Sequence, residues 1–371
     1  MEIFLFSYLF LFASCIFENS TLIVKKKVLF FWMIYFTLLG GLRWDCGFDW
    51  EQYYGYFKEV KWGIDNIMNF TRPGVQESPL EPGFVLLNLI VKTLFGEYWM
   101  FNVIMGFFVQ YSYYRFCLEF SPRRPIMMYV LIIGMGVTSY TFVRTGLAVA
   151  ICYWGYVYVR DRQLRKFILV VLAGSLVHRQ VLAFLPFYWM GKFQLKWWVY
   201  IGAYVMCMFL YVALQDYITL FITLMESDSD IAARLQMYTN EDVGINGTEI
   251  SYFKWIMYLG MLCFFIYVRK LFNLGENEWY NCILAGFFII IVSITLFTEG
   301  MSTLGRVTAP YKPARTLLIM FAVNEFLKYK KTKYKLMAYF LFWGMCVFNI
   351  YKDLTAHTFH EYYIPYTTIF D

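Results

Sequence analysis

Long apolar segments, separated by short polar connections, run through almost the whole chain. A helix needs about 20 apolar residues to cross a bilayer, with roughly 17 as a practical minimum. The candidate segments are 3–19, 28–43, 83–96, 98–117, 126–143, 145–159, 167–178, 181–191, 197–214, 253–268, 280–298, 313–327 and 335–351. Short or interrupted helices are expected where a polar cavity enters the membrane. The pattern predicts an all-α polytopic membrane protein with about 12–13 hydrophobic helices, some of them short or re-entrant.

Composition favours one membrane domain over soluble ones. Apolar residues make up 60% and charged residues 16% of the chain, against roughly 45–50% and about 25% in soluble domains. A length of 371 residues would allow two soluble domains, but no charged block is long enough to fold as one. We therefore expect residues 1–371 to form a single transmembrane domain, with extracytoplasmic loops at 43–82 and 215–252.

Short basic clusters between the apolar segments predict the orientation of the chain, because cytoplasmic loops are enriched in Lys and Arg. The clusters are Lys25-Lys26-Lys27, Arg123-Arg124, Arg160 to Lys166, Lys192 to Lys196, Arg269-Lys270 and Lys328 to Lys335. The net charge of +6 is spread over these clusters, so nucleic acid is not an expected partner. The apolar segment 2–17 lacks a basic start and a small-residue cleavage site, and we expect a retained helix.

One conflict follows from this topology. With loop 43–82 outside and Arg123-Arg124 inside, an odd number of spans must lie between them. The pattern shows two apolar segments, 83–96 and 98–117. We expect the shorter one, 83–96, to be re-entrant or to cross only half of the membrane.

Neither a disulfide framework nor a metal site is predicted. Seven of the eight cysteines lie in or beside apolar segments, where they behave as small hydrophobic residues. Cys46 is in a loop and has no obvious loop partner. There is no CxxC pair, no zinc-type spacing and no phosphate-binding glycine loop. We expect no cofactor and no metal.

Five arginines fall on the predicted outer side, where the positive-inside rule makes them scarce. They are Arg43, Arg144, Arg179, Arg234 and Arg306. Arginine stays charged and forms bidentate bonds with phosphate, so several arginines at an outer cavity fit an anionic lipid headgroup, especially a diphosphate. The alternative is local pairing with Asp45, Asp49, Glu81 or Glu299.

Three other features near these arginines could carry chemistry. His178 is at the tip of a predicted hairpin and could accept a proton from a hydroxyl, or it could be a plain polar turn. Glu81 precedes Pro82 at the start of an apolar helix, which also fits an ordinary helix cap. Trp50, Tyr53 and Tyr54, with Trp44, could stack on sugar rings or form an interfacial aromatic belt.

Several short motifs occur in an order that resembles one family of membrane enzymes. Gly41-Leu42-Arg43, Gly47-Phe48-Asp49 and Tyr53-Tyr54 resemble the "GLR…GxDxxxY" signature of the EpsG family, within the Wzy-type polysaccharide polymerases. Later elements that resemble the family are Glu81-Pro82-Gly83-Phe84 ("EPGY", with Phe for Tyr), Arg144-Thr145-Gly146-Leu147-Ala148 ("RQxLA", with Thr for Gln), His178 followed by Pro186, Arg306 with Tyr311, and Pro365-Tyr366.

The resemblance implies a glycosyltransferase of the bacterial inner membrane with a GT-C-like fold and an active site facing the periplasm or exterior. Such enzymes join oligosaccharide repeat units carried on undecaprenyl diphosphate, and a separate chain-length regulator can be a partner. Arg43, Arg144 and Arg306 would stabilise the diphosphate leaving group without metal. His178 would be the general base, with Asp49 and Glu81 as competing bases or orienting groups. The expected substrate contacts are Arg179, Arg234, Tyr311, Trp50, Tyr53 and Tyr54.

Two other functions fit the same pattern less well. An O-antigen ligase, which transfers finished glycan to the lipid A core, would have a similar shape and use arginines similarly. A flippase or transporter of lipid-linked oligosaccharide would need polar residues at the membrane midplane and repeated halves, whereas the charges here gather on one side.

Overall fold

The computed structural model describes residues 1–371 except 48, 72–79, 135, 137, 142–143, 225–251, 297–306 and 330. The described part is helical, and its one extended pairing is a single bridge between Arg43 and Thr368. The prediction of an all-α polytopic membrane protein is confirmed. Two predicted site residues, Arg234 and Arg306, lie outside the described residues, as does most of loop 215–252.

The chain divides into two compact units, Met1–Leu182 with Ile319–Asp371, and Ala183–Leu318. In chain order the helices are α1 (Glu2–Ala13), α2 (Leu22–Gly41), α3 (Trp50–Glu59), α4 (Ile64–Asn69), α5 (Pro82–Phe95), α6 (Tyr98–Phe120), α7 (Pro125–Ile133), α8 (Thr138–Thr141), α9 (Arg144–Arg160), α10 (Leu164–Ser175), α11 (Phe187–Met190), α12 (Trp197–Leu224), α13 (Tyr252–Leu271), α14 (Glu278–Leu296), α15 (Lys312–Lys328), α16 (Thr332–Leu354) and α17 (His357–Tyr363). Short 3-10 helices lie at Ser14–Asn19, Arg179–Phe184 and Ala309–Tyr311.

The first unit is built around α6 and α7. Helix α6 packs against α2, α5, α7 and α9. All residues of α7 are buried, as expected for a helix that is apolar on every side. At the end of α2, a Cβ on Gly41 would lie 2.7 Å from the Cα of Val103. Only glycine therefore allows α2 to approach α6 this closely, a use of small residues that is common between membrane helices.

The second unit is centred on α14, which packs against α11, α12, α13 and the 3-10 turn Ala309–Tyr311. Phe184, Phe187 and Tyr311 form an aromatic cluster with ring centroids 4.9 to 5.7 Å apart. The Tyr311 hydroxyl donates a hydrogen bond of 2.5 Å to the Ala183 carbonyl. Tyr311 is 3% exposed, so in this structure it fixes the internal packing of the second unit.

Three helical stretches in the described part are individually long and apolar enough to cross a membrane: Glu2–Asn19, Tyr252–Leu271 and Glu278–Leu296. Shorter apolar helices lie at Pro82–Phe95 and Trp197–Ala213. The predicted number of about 12–13 hydrophobic helices includes shorter segments, and the number of crossings stays a prediction.

Helix α5 bears on the topological conflict between loop 43–82 and Arg123-Arg124. It has 14 residues and is therefore about 21 Å long, shorter than the roughly 30 Å hydrocarbon core. Helix α6 has 23 residues, or about 35 Å. These lengths favour the prediction that 83–96 crosses only part of the membrane. Reporter fusions at residues 65 and 120 test it, and should lie on opposite sides.

Some predicted segments have different bounds in the structure. The segment 126–143 is not one helix, because α7 ends before Gly134 and α8 begins at Thr138; Gly136 has a φ of 123° there. The segment 181–191 is a 3-10 turn followed by the four-residue α11, interrupted at Pro186. Helix α2 begins before Lys25, and Lys25 is buried with its Nζ donating to the Arg123 carbonyl at 2.6 Å.

Candidate active site

Glu81 occupies the N-cap position of α5, where Pro82 begins the helix. Its carboxylate does not cap this helix. Instead Oε1 accepts a hydrogen bond of 3.0 Å from the backbone N–H of Arg179, and it lies 3.0 Å from Nδ1 of His178. Glu81 therefore lies at the cap position, as the sequence predicts. Its carboxylate, however, contacts the segment that carries His178 and not the first turn of α5.

Arg144, the first residue of α9, completes this group. Its Nη1 lies 3.6 Å from Oε2 of Glu81. The side chain of Glu81 is 8% exposed and that of His178 is 12%, whereas that of Arg144 is 25% exposed. Arg179 is exposed on the same turn. The carboxylate–histidine pair is thus mostly buried, whereas the side chains of Arg144 and Arg179 are at least partly accessible.

The contacts of Glu81 keep it ionised. Burial by itself raises the pKa of the Glu81 carboxyl, but the hydrogen bonds from His178 and the Arg179 amide, with the charge of Arg144, lower the pKa to about 2. An ionised carboxylate can only accept hydrogen bonds, so Nδ1 of His178 must carry the proton between them. In a neutral imidazole, Nε2 is then the nitrogen that can accept a proton. Glu81 is thus placed to orient His178, as the acid does in a Ser-His-Asp triad.

The low pKa of Glu81 makes a stability prediction. The ionised carboxylate stabilises the fold above its unfolded pKa of about 4.5, and this contribution is lost as the pH falls towards the folded value of about 2. At neutral pH, the difference between the unfolded and folded pKa values corresponds to about 3 kcal/mol of unfolding free energy. In melting curves, the excess stability of the wild type over Glu81→Gln should shrink between about pH 4.5 and 2. A constant difference from pH 7 to 2 contradicts the assigned ion contacts.

Gly83 lets the start of α5 touch the segment before His178. The N–H groups of Gly83 and Phe84 both donate to the Leu176 carbonyl, at 2.9 and 3.2 Å. A Cβ on Gly83 would lie 2.7 Å from that carbonyl oxygen and 2.8 Å from the Leu176 Cβ. Any side chain at this position must push α5 and Glu81 away from His178.

Gly83→Ala should therefore lower both stability and activity. We expect a loss of about 1–3 kcal/mol in unfolding free energy from overpacking. The polymerase activity implied by the sequence resemblance should fall by tenfold or more, because a shift of about 1 Å in a catalytic group can cost about 10²-fold in rate. Gly344→Ala in α16 is the matched control, since a Cβ there meets nothing within 4 Å. Thermal unfolding and chain-growth assays check the pair; equal behaviour contradicts the role of Gly83.

Arg43 has a different environment from Arg144. It is 1% exposed, and its Nη1 donates to the Thr141 carbonyl. Thr141 ends α8, three residues before Arg144. Arg43 therefore holds the end of α8, and its buried guanidinium is not presented to solvent.

The C-terminal tail holds the loop that follows Arg43. The Trp44 N–H donates to the Thr367 carbonyl at 3.0 Å, and the Gly47 N–H donates to the Tyr362 carbonyl at 2.6 Å. The Tyr363 hydroxyl shares a hydrogen bond of 2.7 Å with Oγ1 of Thr141. Thr141 is thus held from two sides, by Arg43 and by the tail.

The loop between α2 and α3 has an unusual backbone. Asp45, Gly47 and Asp49 have φ angles of 48°, 104° and 59°. Non-glycine residues rarely adopt positive φ, and such strain is stable only where neighbouring contacts impose it. The tail supplies these contacts. Asp49 is the N-cap residue of α3 and is half-buried; its role as a base or orienting group stays a prediction.

The predicted aromatic contacts separate into two sets. Tyr53 is 7% exposed, and its ring packs against Phe84 in the first turn of α5, with centroids 5.8 Å apart. Trp50 and Tyr54 face a cleft at the start of α3. Tyr53 therefore connects α3 to the helix that carries Glu81, while the other two rings line a surface.

Sequence patterns did not predict several residues that shape this site. They are Gly83 and Leu176, which set the approach of α5, and Thr141, Tyr362, Tyr363 and Thr367, which hold the Arg43 loop. The tail contacts join positions more than 200 residues apart, and nothing in a local pattern signals them. The "EPG" motif did contain a signal for Gly83, since glycine after Pro82 in a helix start disfavours the helix unless close packing requires it.

The fold and this site define a polytopic all-α membrane protein with a buried carboxylate–histidine pair beside arginines. The model of the EpsG family matches residues 26–368, nearly the whole chain, and the protein belongs to this family of Wzy-like polysaccharide polymerases. The resemblance in the ordered motifs is thereby confirmed. No curated protein and no solved structure matches the chain, so the GT-C-like architecture stays a prediction.

Proposed function

We propose that this protein is a glycosyltransferase that joins oligosaccharide repeat units linked to undecaprenyl diphosphate, on the extracytoplasmic face of the bacterial inner membrane. Family membership supports a polymerase-type membrane protein. The observation that carries the chemistry is the Glu81–His178 pair with Arg144 at 3.6 Å and Arg179 on the same turn.

In the proposed reaction, a hydroxyl at the non-reducing end of the incoming unit attacks the anomeric carbon of the growing chain. The bond between that carbon and the diphosphate oxygen breaks, and undecaprenyl diphosphate leaves. Nε2 of His178 takes the hydroxyl proton, because Glu81 occupies Nδ1. Glu81, with its pKa of about 2, is an orienting group in this scheme and not the base.

Arg144 and Arg179 supply the positive charge that the leaving diphosphate needs. Both have side chains that reach the surface, whereas Arg43 is buried and secures Thr141. We therefore assign Arg43 to positioning, and we assign the two more accessible arginines, Arg144 and Arg179, to the diphosphate. Arg306 and Arg234 remain in the proposal as further diphosphate or chain contacts, on their sequence alone.

Neither a metal nor a cofactor enters the scheme. In the described part of the chain, no group of three His, Cys, Asp or Glu side chains could hold a metal ion. Metal independence is part of the proposal, because the positive charge of the arginines would replace that of a metal ion at the diphosphate. The expected partners are the lipid-linked oligosaccharide, the bilayer and a chain-length regulator.

An O-antigen ligase is the second candidate, because it also transfers glycan from a lipid diphosphate and would use the same pair. Deleting the gene separates the two functions. Loss of a polymerase leaves single repeat units on the lipid A core, or short glycans in a capsule system. Loss of a ligase leaves no glycan there. The proposal predicts single units, and a bare core contradicts it.

A further inference from the structure

We propose that a cleft at the start of α3 binds the glycan part of the substrate and favours neutral or amino sugars over uronic acids. This inference rests on the proposed function, because a lipid-linked glycan is then the molecule that must be held. The cleft has a volume of about 540 Å³, within the range of roughly 300–1,000 Å³ typical of small-molecule sites. The residues that carry the argument are Trp44, Asp45, Glu51, Tyr54, Lys58 and Glu59.

The aromatic side chains of the cleft suit a sugar ring, whose C–H face packs on an aromatic face. The rings of Trp50 and Tyr54 stack with centroids 4.9 Å apart. Nζ of Lys58 lies over the Tyr54 ring at 4.1 Å from its centroid. Tyr54 is thus already engaged. Trp44 makes T-shaped contacts with both rings, at 5.1 and 5.5 Å, and is half-buried. We assign the main sugar contact to Trp44.

The backbone of Trp44 is held firmly before any ligand arrives. Its N–H donates to the Thr367 carbonyl at 3.0 Å, and Oγ1 of Thr367 donates to the Trp44 carbonyl. Trp50, whose ring Trp44 contacts, is 6% exposed. A platform fixed in this way loses little freedom on binding, which favours affinity.

The charge of the cleft sets the chemistry of its ligand. Asp45 and Glu51 are exposed and Glu59 is half-buried, against the single ammonium of Lys58. Carboxylates accept hydrogen bonds from sugar hydroxyls and attract the ammonium of an amino sugar. They repel the carboxylates of a uronic acid, and like charges across an interface reduce affinity. The lining therefore selects against acidic glycans.

The cleft is joined to the proposed active site through α3. Trp50 and Tyr54 lie on one side of this helix, and Tyr53 packs on Phe84, three residues after Glu81. The same helix thus contacts the start of α5 and forms the cleft. A glycan bound in the cleft would contact α3. Helix α3 packs against the start of α5, where Glu81 contacts His178.

Binding of defined oligosaccharides to the full-length protein in lipid nanodiscs tests the inference. The probes are chitotetraose (neutral), its de-N-acetylated form (amino sugar) and tetragalacturonate (acidic), with dissociation constants from saturation-transfer NMR titrations. No lipid-linked donor is present, so nothing turns over. The wild type should bind the first two probes and should bind tetragalacturonate about tenfold or more weakly. Trp44→Ala should weaken chitotetraose binding about tenfold or more.

Trp62→Ala is the matched control. Trp62 lies between α3 and α4, is 56% exposed and is not part of the cleft lining, so this variant should bind like the wild type. The double variant Asp45→Asn, Glu51→Gln should bind tetragalacturonate more tightly than the wild type does. The inference is overturned if the wild type binds none of the probes, if it prefers the acidic one, or if Trp44→Ala binds like Trp62→Ala. Chain growth is measured separately from probe binding. Loss of probe binding would overturn the cleft assignment without contradicting the polymerase function, and absence of chain growth would contradict the polymerase function without bearing on probe binding.

Discussion

Replacing His178 by alanine should slow glycan chain growth by about 10²–10⁴-fold, the usual contribution of a positioned general base. The imidazole is the side chain that Glu81 holds by Nδ1. Membrane insertion should be unchanged, because the side chain lies between α10 and the following 3-10 turn and is not part of a helix face. The measurement is the rate of polymer formation by purified protein with lipid-linked repeat units.

His357→Ala is the control for this variant. The His357 side chain is 92% exposed and lies in the tail helix α17, so its loss should leave the rate within about twofold, as for most surface substitutions. Glu81→Gln tests the orienting role of Glu81 through the pH–rate profile, which the loss of a purely structural contact would not change. An amide can donate a hydrogen bond to Nδ1 and so favour the wrong tautomer, which changes the pH–rate profile as well as the rate. If the His178→Ala variant extends chains at the normal rate, His178 is not the general base.

Arg144→Ala should produce the second large loss, about 10²–10³-fold in turnover, because a preorganised donor to developing negative charge is removed. The 25% exposure of its side chain lets the guanidinium reach a diphosphate while it remains near Glu81. Arg144→Lys keeps the charge but not the bidentate geometry, so we expect it to recover only part of the rate.

Arg123→Ala is the matched control for Arg144→Ala. Arg123 is exposed and belongs to a predicted cytoplasmic cluster, so its loss should not change turnover. If the KM for the lipid-linked donor rises while turnover stays normal in Arg144→Ala, the arginine binds the ground state and the transition state equally well. That result contradicts a role in stabilising the leaving group.

The sequence predicted the helical fold and the start of α5, but not every helix boundary. Apolar segments of near-membrane length gave the all-α fold, and Glu81-Pro82 gave the start of α5, because a cap followed by Pro has a local signature. The break after α7 was missed, since Gly134 and Gly136 stand in an otherwise continuous apolar segment. Helix boundaries depend on packing that a single segment does not reveal.

The environment of Arg43 depends on contacts that its local sequence does not show. Arg43 was predicted to meet the diphosphate; the structure buries its side chain against Thr141, and for this reason we propose a positioning role instead. Its partners come from α8 and from a tail more than 300 residues away. The pairing of Glu81 with His178 likewise joins residues 97 apart. The sequence indicated both residues as candidates, but their pairing is visible only in the structure.

The most direct test of the account is chain growth in vitro from purified lipid-linked repeat units, with the protein in nanodiscs, no nucleotide sugar and a chelator present. The account predicts a ladder of glycans on undecaprenyl diphosphate with the wild type and with His357→Ala, and unextended single units with His178→Ala. Unextended units with the wild type, or the same ladder with His178→Ala, would contradict it.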